Sequence, residues 1–161
     1  MGEGELRRRD RAMEPSEAEA FLAGAEVGRL GTADARGRPY VTPFYFAYDR
    51  GAIYLHGTAT GHVRSNLAAN PEVCFEVDAH HGVIAGDQPC GYSAGFASAI
   101  CFGTAAVVVD EGERQAALDL LMDKYGTPAP AGSREYANRG KTTIIGIAVR
   151  TLTGKRRKAA P

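Results

Sequence analysis

The sequence lacks the long apolar run that crosses a lipid bilayer. No stretch approaches the roughly 18 consecutive apolar residues that a spanning helix needs. A secretory leader is also not expected, because a cluster of arginines between Arg7 and Arg11 lies where its apolar core would begin to form. These observations predict a cytoplasmic protein with no membrane partner.

Cysteine is scarce, and its spacing suggests no pairing. The three cysteines, Cys74, Cys90 and Cys101, are odd in number and form no C-x-x-C pair. A disulfide framework is therefore not expected, and reduced thiols suit a cytoplasmic setting. Zinc-type spacing is missing too, and the adjacent His80 and His81 cannot easily face one ion, so we expect no metal site.

An excess of charge of one sign is also lacking. The 19 Lys and Arg residues balance 19 Asp and Glu residues, and eight of the basic ones lie in two clusters at 7–11 and 155–158. A nucleic-acid-binding domain normally carries its positive charge on a folded face. We therefore expect basic tails at 1–13 and 155–161, one domain over 14–154, and no nucleic-acid partner.

The sequence does contain a series of strand patterns with few helices between them. Strands are predicted at 27–33, 39–48, 52–56, 72–78, 98–110 and 142–150, and helices at 16–24, 62–69 and 111–125. Residues 79–97 have no clear period and are expected to form an excursion or lid-like loop. Consecutive strands disfavour a doubly wound parallel sheet. An antiparallel barrel with helices outside is favoured, because closure removes exposed strand edges.

Three local signals predict where elements begin and end. Ser16 and Glu19 have the spacing of a capping box, and Asp110 and Glu113 repeat it before the last helix. The run from Asp49 through Gly51 predicts a tight hairpin turn.

The most informative segment is 53–67, where a strand leads into a loop of Gly and Thr residues that opens a helix. A helix N-terminus offers free N–H groups and a partial positive charge, which suit a phosphate group. Hydroxyl, imidazole and guanidinium groups follow at Thr58, Thr60, His62 and Arg64. The segment is no Walker loop, because the G-x-x-x-x-G-K-[ST] spacing is absent. An ordinary helix cap beside a loop would give the same pattern, so both interpretations stay open.

At this point the sequence resembles the FMN-binding proteins related to pyridoxamine 5′-phosphate oxidase, especially the branch that includes the nitroimidazole-resistance proteins. The resemblance covers roughly residues 13–155 and rests on blocks in family-like order. These blocks are VGRLGT at 27–32, GRPYVTP at 37–43, IYLHG at 53–57, GH at 61–62, NL at 66–67, NPEVCF at 70–75, SAI at 98–100, FG at 102–103 and LTGK at 152–155.

The resemblance implies a mainly β fold, a six-stranded antiparallel split β-barrel of the FMN-binding type that works as a homodimer. It implies FMN as cofactor, in clefts between the subunits, and a small-molecule substrate. The strand at 41–45 would run along the flavin ring, the segment 56–64 would surround the phosphate and ribityl chain, and the region of Ser98 would border the ring. The cofactor-binding residues so implied are Thr42, Pro43, Phe44, Tyr45, His56, Gly57, Thr58, Gly61, His62, Val63, Arg64, Asn66 and Ser98.

The chain departs from the family pattern in two places. Many relatives carry Lys or Arg directly after the loop glycine, where this chain has His62 and Val63, so Arg64 is the group that could compensate. Many also read Arg-Ser-Val where this chain reads Ala97, Ser98 and Ala99. A cationic group near the cofactor or substrate is therefore missing.

Two function classes remain open. The first is an FMN-dependent oxidoreductase, in which the flavin carries the chemistry and no catalytic side chain is assigned. The alternative is a non-enzymatic module that stores or senses flavin, deazaflavin or haem on the same barrel, since a haem held by one histidine needs no motif. His56, at the end of a strand beside the loop, is expected either to contact the cofactor or substrate or to be structural.

Overall fold

The computed structural model describes residues 2–126, 130, 134–136 and 142–157. These residues form six strands and three α-helices. In chain order they are α1 (Pro15–Gly24), β1 (Val27–Ala33), β2 (Pro39–Asp49), β3 (Ala52–Gly57), α2 (His62–Ala69), β4 (Glu72–Ile84), β5 (Ser93–Val107), α3 (Glu111–Tyr125) and β6 (Thr143–Arg157). None of the helices in these ranges has the length and apolar character that crossing a bilayer requires.

The six strands close into a barrel in the order β1–β2–β3–β6–β5–β4, and every neighbouring pair is antiparallel. Closure leaves the sheet without a free outer strand, which is the physical reason to prefer a barrel. The predicted mainly β fold with six antiparallel strands and peripheral helices is confirmed.

Alternating side chains fill the barrel. In β4, Val73, Phe75 and Val77 are buried, while the residues between them are more exposed. The Phe75 ring packs edge-on against Phe46, with ring centroids 4.9 Å apart. Gly28 of β1 is needed beside this pair, because a Cβ there would overlap the Phe75 ring. The interior is therefore a packed apolar core.

Local turn and cap chemistry agrees with the sequence at two places. The β2–β3 hairpin turns on Arg50 and Gly51, both at positive φ (43° and 82°), the geometry that a two-residue hairpin loop requires. The Asp110 side chain accepts a hydrogen bond of 2.8 Å from the Glu113 N–H at the start of α3. The helix cap predicted at Asp110 is confirmed.

The cap predicted at Ser16 is wrong. Helix α1 begins at Pro15, with Glu14 as its N-cap and no side-chain capping bond. A proline at the first helical position has no N–H to satisfy and has its φ already set for a helix, so it can start the helix without a cap.

The excursion predicted at 79–97 is also wrong, since most of it is an extended β-hairpin. Strand β4 continues to Ile84 and β5 begins at Ser93, joined by a short 3-10 turn at Pro89–Gly91. The pairing shifts register between His80 and Val83, and Gly82 adopts φ 93° there. Beyond the barrel neither face is fully buried, so the apolar–polar alternation that marks a strand is missing from this part of the sequence.

The predicted tails are partly ordered against β6. Strand β6 runs to Arg157, two residues past the start expected for the C-terminal tail, and the rest of that tail, 158–161, lies outside the described residues. At the other end, Ala12 bridges to Lys155, and the Glu3 carboxylate accepts hydrogen bonds from Arg150. Pairing of opposite charges across β6 explains why these polar segments fold back.

Candidate functional site

The barrel opens where β2 and β3 separate. Strand β3 pairs with β2 only from Phe46 to Asp49, so the part of β2 at 39–45 is bonded to β1 on one side alone. Pro43 lies in this part, opposite Arg29 of β1. A proline has no N–H to donate, and it is tolerated here because the strand has a free side. The opening creates room beside β2 for the loop that follows β3.

That loop places the N-terminus of α2 at the opening. Gly61 is the N-cap of α2, has φ 118° and makes no side-chain capping bond. Gly61 is required here because other residues rarely adopt this φ. The N–H groups of the first helical turn are left without intrahelical acceptors, so they can bind an anion from outside the helix.

Loop and strand together enclose a cavity of about 290 Å³. Backbone and side chains from β2, β3, the loop, the first turn of α2 and β6 line it. The lining residues are Tyr40, Phe44, Gly57, Thr58, Thr60, Gly61, His62, Val63, Arg64 and Ile145. The lining combines apolar side chains with hydroxyl, imidazole and guanidinium groups, a composition typical of sites for small molecules and cofactors.

Two contacts shape this cavity, which is called the phosphate cavity below. The His62 ring stacks on Tyr40 with centroids 4.1 Å apart and planes 18° apart. The Thr58 hydroxyl donates to the Thr60 carbonyl oxygen at 2.5 Å, which holds the loop. The lone pairs of the Thr58 oxygen remain as acceptors.

Arg64 is the residue that most directly indicates an anion-binding site. Its Nε is buried and has no hydrogen-bond partner within the described part of the chain. A buried guanidinium donor without a partner costs free energy, on the order of 1–3 kcal/mol. The Arg64 side chain lines the cavity beside the first turn of α2, so an anion there would meet the guanidinium group and the free helix N–H groups together. The residues present therefore fit a phosphate group.

Seven of the predicted site residues line the phosphate cavity. They are Phe44, Gly57, Thr58, Gly61, His62, Val63 and Arg64. Tyr40, Thr60 and Ile145 also line it but were not among the predicted site residues. Tyr40 shares its strand face with Phe44 four residues on, a spacing that the period of two could have revealed. Ile145 is brought in by its pairing with Leu55, for which no local signal exists.

Tyr45 and His56 lie elsewhere. Tyr45 follows the cavity residue Phe44, and His56 precedes the cavity residue Gly57. Successive strand residues point to opposite faces of a sheet. Both line a second cavity, between β2, β3 and α3. Neither residue therefore lines the phosphate cavity of the single chain, and the role implied for His56 at the cofactor stays a prediction.

The Asn66 side chain is hydrogen-bonded within the core. Its side chain is 1% exposed, and its Nδ2 donates to the Thr32 hydroxyl at 2.9 Å. The Thr32 hydroxyl donates in turn to the Tyr40 carbonyl oxygen at 3.3 Å. Asn66 thus ties α2 to β1 and β2, and its side chain does not face the phosphate cavity. It positions the helix whose first turn lines that cavity.

Thr42, Pro43 and Ser98 do not line the phosphate cavity of one chain. The Thr42 hydroxyl is buried without a hydrogen-bond partner among the described residues. Ser98 lies in β5 between Asp78 of β4 and Lys155 of β6, on another side of the barrel. Within the described residues no group of three or more His, Cys, Asp or Glu side chains is placed to hold a metal ion.

The family comparison identifies the class of protein to which this fold and this site belong. A family described as pyridoxamine 5′-phosphate oxidase matches residues 14–156, which is most of the chain. The chain belongs to this family. The resemblance stated from the sequence blocks is therefore confirmed. No similar protein is found among curated protein sequences.

Solved structures add particular relatives. One is a candidate 5-nitroimidazole antibiotic resistance protein of Bacteroides thetaiotaomicron, 27% identical over 89% of this chain and 85% of that one, with a TM-score of 0.77. The flavocytochrome Anf3 of Azotobacter vinelandii is 19% identical over 100% of this chain and 76% of that one, with a TM-score of 0.85. An FAD-binding protein of Mesorhizobium loti is 24% identical over 92% of this chain and 98% of that one, with a TM-score of 0.67.

Proposed function

We propose that this chain binds FMN, with the phosphate group at the first turn of α2. The carrying observation is Arg64, which lines the phosphate cavity and whose buried Nε has no partner among the described residues. The glycine N-cap at Gly61 supports the same role, because no side chain blocks the helix N-terminus.

The relatives support a flavin as the cofactor. The neighbour from Mesorhizobium loti is an FAD-binding protein, and the one from Azotobacter vinelandii is a flavocytochrome. We favour FMN over FAD because one cluster of anion-binding groups, at 58–64, is a sufficient cradle for a single phosphate. FAD would add a second phosphate and an adenosine, which need further contacts outside this cluster.

We further propose that the protein is an oxidoreductase acting on a small molecule. A bound flavin supplies hydride and electron transfer, so the chain itself needs to bind, orient and shield it. Arg64 and the α2 N–H groups would hold the phosphate, and the Tyr40–His62 stack would close one side of the cavity. Thr58 would offer its oxygen lone pairs to the ribityl hydroxyls.

The alternative function is a non-enzymatic module that stores or senses a flavin, deazaflavin or haem. Redox cycling separates the two classes. Bound FMN that is reduced by a nicotinamide or an electron-transfer partner, and then reoxidised by a small acceptor over many turnovers, supports the enzyme. A tightly bound flavin that cycles with none of them supports the module.

We propose a homodimer, because apolar side chains stand exposed on the outer face of β1 and β2. Val41 is 63% exposed and Val27 is 37% exposed, on neighbouring strands. A two-fold interface would bury this face and bring a second chain to the cofactor site. Sedimentation should show a dimer that Val41→Asp disrupts and that Val83→Asp, on the exposed β4–β5 hairpin, leaves intact. A monomeric wild-type chain with bound flavin would remove the shared-cleft proposal.

The phosphate assignment is tested by comparing FMN with riboflavin, which lacks the phosphate. Arg64→Ala should weaken FMN binding roughly tenfold to a hundredfold, the loss expected for one charge-assisted contact of about 1.5–3 kcal/mol. Riboflavin affinity should stay unchanged. Arg36→Ala, which removes an exposed arginine from the β1–β2 turn, is the matched control. Equal losses for both flavins would show that Arg64 acts on the ring or on folding and not on the phosphate.

A further inference from the structure

The basic residues at 7–11 and 155–157 meet on one face of the folded chain. Ala12 forms an antiparallel bridge with Lys155 of β6. Gly4, at the other end of the N-terminal segment, lies against β6 as well. Because the segment contacts β6 at both ends, its arginines lie beside the basic end of that strand. The positive charge therefore stands on a folded surface, as it does in proteins that bind polyanions.

Four cations of this face form no ion pair within the part of the chain that the structure describes. They are Arg7, Arg11, Lys155 and Arg157. The Nζ of Lys155 lies 5.4 Å from the centroid of the Phe96 ring instead. The other three arginines of the two clusters are paired, Arg8 with Asp10, Arg9 with Glu5 and Arg156 with Glu17. The face therefore keeps a surplus of positive charge that anions outside the chain can neutralise.

The end of the β4–β5 hairpin adds exposed apolar surface beside these cations. Val83 is 69% exposed and Tyr92 is 58% exposed. The two residues are near each other, because Val83 pairs with Ala94, two positions after Tyr92. Arg157 donates a hydrogen bond to the Ser93 hydroxyl, so its guanidinium group reaches the strand end that follows Tyr92. Cationic and apolar groups thus form one continuous surface.

We propose that this surface binds the headgroup region of an anionic lipid bilayer. Its residues, called the basic face below, are Arg7, Arg11, Val83, Tyr92, Lys155 and Arg157. Anionic headgroups attract the cations, and the apolar layer just beneath them accepts Val83. A tyrosine ring suits the boundary between the two layers. A nucleic acid would offer phosphates but no apolar layer, so the exposed valine favours the bilayer.

The expectation of no membrane partner rests on the lack of a long apolar run, which concerns crossing a bilayer. Binding at the surface needs only cations and a few apolar side chains. No residue of the basic face is in the lining of the phosphate cavity. The surface should therefore bind vesicles equally with and without FMN.

Vesicle sedimentation of the full chain is the test. The chain should pellet with vesicles of equal parts phosphatidylcholine and phosphatidylserine, and it should stay in solution with vesicles of phosphatidylcholine alone. Salt at about 1 M should release it, because the Debye length then falls to roughly 3 Å. Equal binding to both kinds of vesicle, or binding to neither, would overturn the proposal.

The cations are tested against a matched loss of charge. Arg7→Gln combined with Arg11→Gln should weaken vesicle binding roughly twentyfold, since each basic residue near an anionic surface contributes about a factor of five. Arg36→Gln combined with Arg50→Gln removes the same charge from two exposed turns and should change binding about twofold at most. Equal losses in both double variants would overturn the proposed face, because net charge alone would then explain the binding.

The apolar contact is tested with a fluorescent reporter. The sequence contains no tryptophan, so Tyr92→Trp places a single one on the hairpin. Its emission should shift to shorter wavelength on phosphatidylserine vesicles, because the ring leaves water. Val109→Trp, at a position that is 84% exposed just before α3, is the control and should not shift. Val83→Ser should weaken vesicle binding severalfold and leave the far-UV circular dichroism spectrum unchanged.

Two further results would overturn the proposal. An unshifted Tyr92→Trp emission in protein that pellets with vesicles would show that the hairpin does not touch the bilayer. A labelled single-stranded oligonucleotide that displaces the vesicles, and that binds the Val83→Ser chain as tightly as the wild type, would show the face to be a nucleic-acid site.

Discussion

The contact between Asn66 and Thr32 can be tested as the contact that holds α2 against the barrel. Its Nδ2 donates to the Thr32 hydroxyl at 2.9 Å, and both side chains are buried. Asn66→Ala leaves a buried Thr32 hydroxyl without its donor and opens a small cavity. Each loss costs on the order of 1 kcal/mol, so the free energy of unfolding should fall by about 2 kcal/mol.

The assay is urea unfolding followed by far-UV circular dichroism, for Asn66→Ala, Thr32→Val and the double variant. The two residues are in direct contact, so their effects should not add, and the coupling energy should be about 1 kcal/mol. Asn70→Ala is the control, since the Asn70 oxygen accepts only a local bond of 3.1 Å from the Glu72 N–H. Additive effects, or a fall below about 0.5 kcal/mol for Asn66→Ala, would refute the reasoning.

Two further predictions follow from buried polar groups. Tyr125→Phe removes the hydroxyl that accepts from the Phe46 N–H at 3.1 Å, so the urea midpoint should fall by an amount equivalent to about 1–3 kcal/mol, and an unchanged midpoint would contradict this. Burial raises the pKa of the Cys101 thiol to about 12, so this thiol stays protonated below that pH. Iodoacetamide at pH 8 should therefore modify the exposed Cys90 in the native protein and Cys101 only after unfolding. Mass spectrometry that finds native Cys101 modified as fast as Cys90 would show the thiol to be accessible.

The parts of the fold that the sequence predicts correctly are those with a local cause. The turn at Arg50 and Gly51 needs positive φ, and the cap at Asp110 needs one side-chain acceptor, so a few adjacent residues decide each. The β4–β5 hairpin escapes prediction because its far end is exposed on both faces and its register shifts after His80. Strand β6 is longer than predicted because its last residues owe their pairing to β5, far away in sequence.

The same distinction holds for the site. The cluster from Gly57 to Arg64 is contiguous, so its chemistry can be recognised from the chain alone. The face to which His56 points depends on strand alternation, and the burial of Asn66 depends on its contact with Thr32 across 34 positions. Neither could be deduced from spacing within the loop. The role implied for Ser98 depends on a second chain and stays a prediction.

The measurement that tests the account most directly is the affinity of the wild-type chain for FMN against riboflavin, followed by flavin fluorescence quenching. The two molecules share the ring and ribityl chain and differ in the phosphate alone. If the first turn of α2 and Arg64 hold that phosphate, FMN should bind at least tenfold more tightly, and inorganic phosphate should compete with it. Equal affinities for the two flavins would contradict the proposed site.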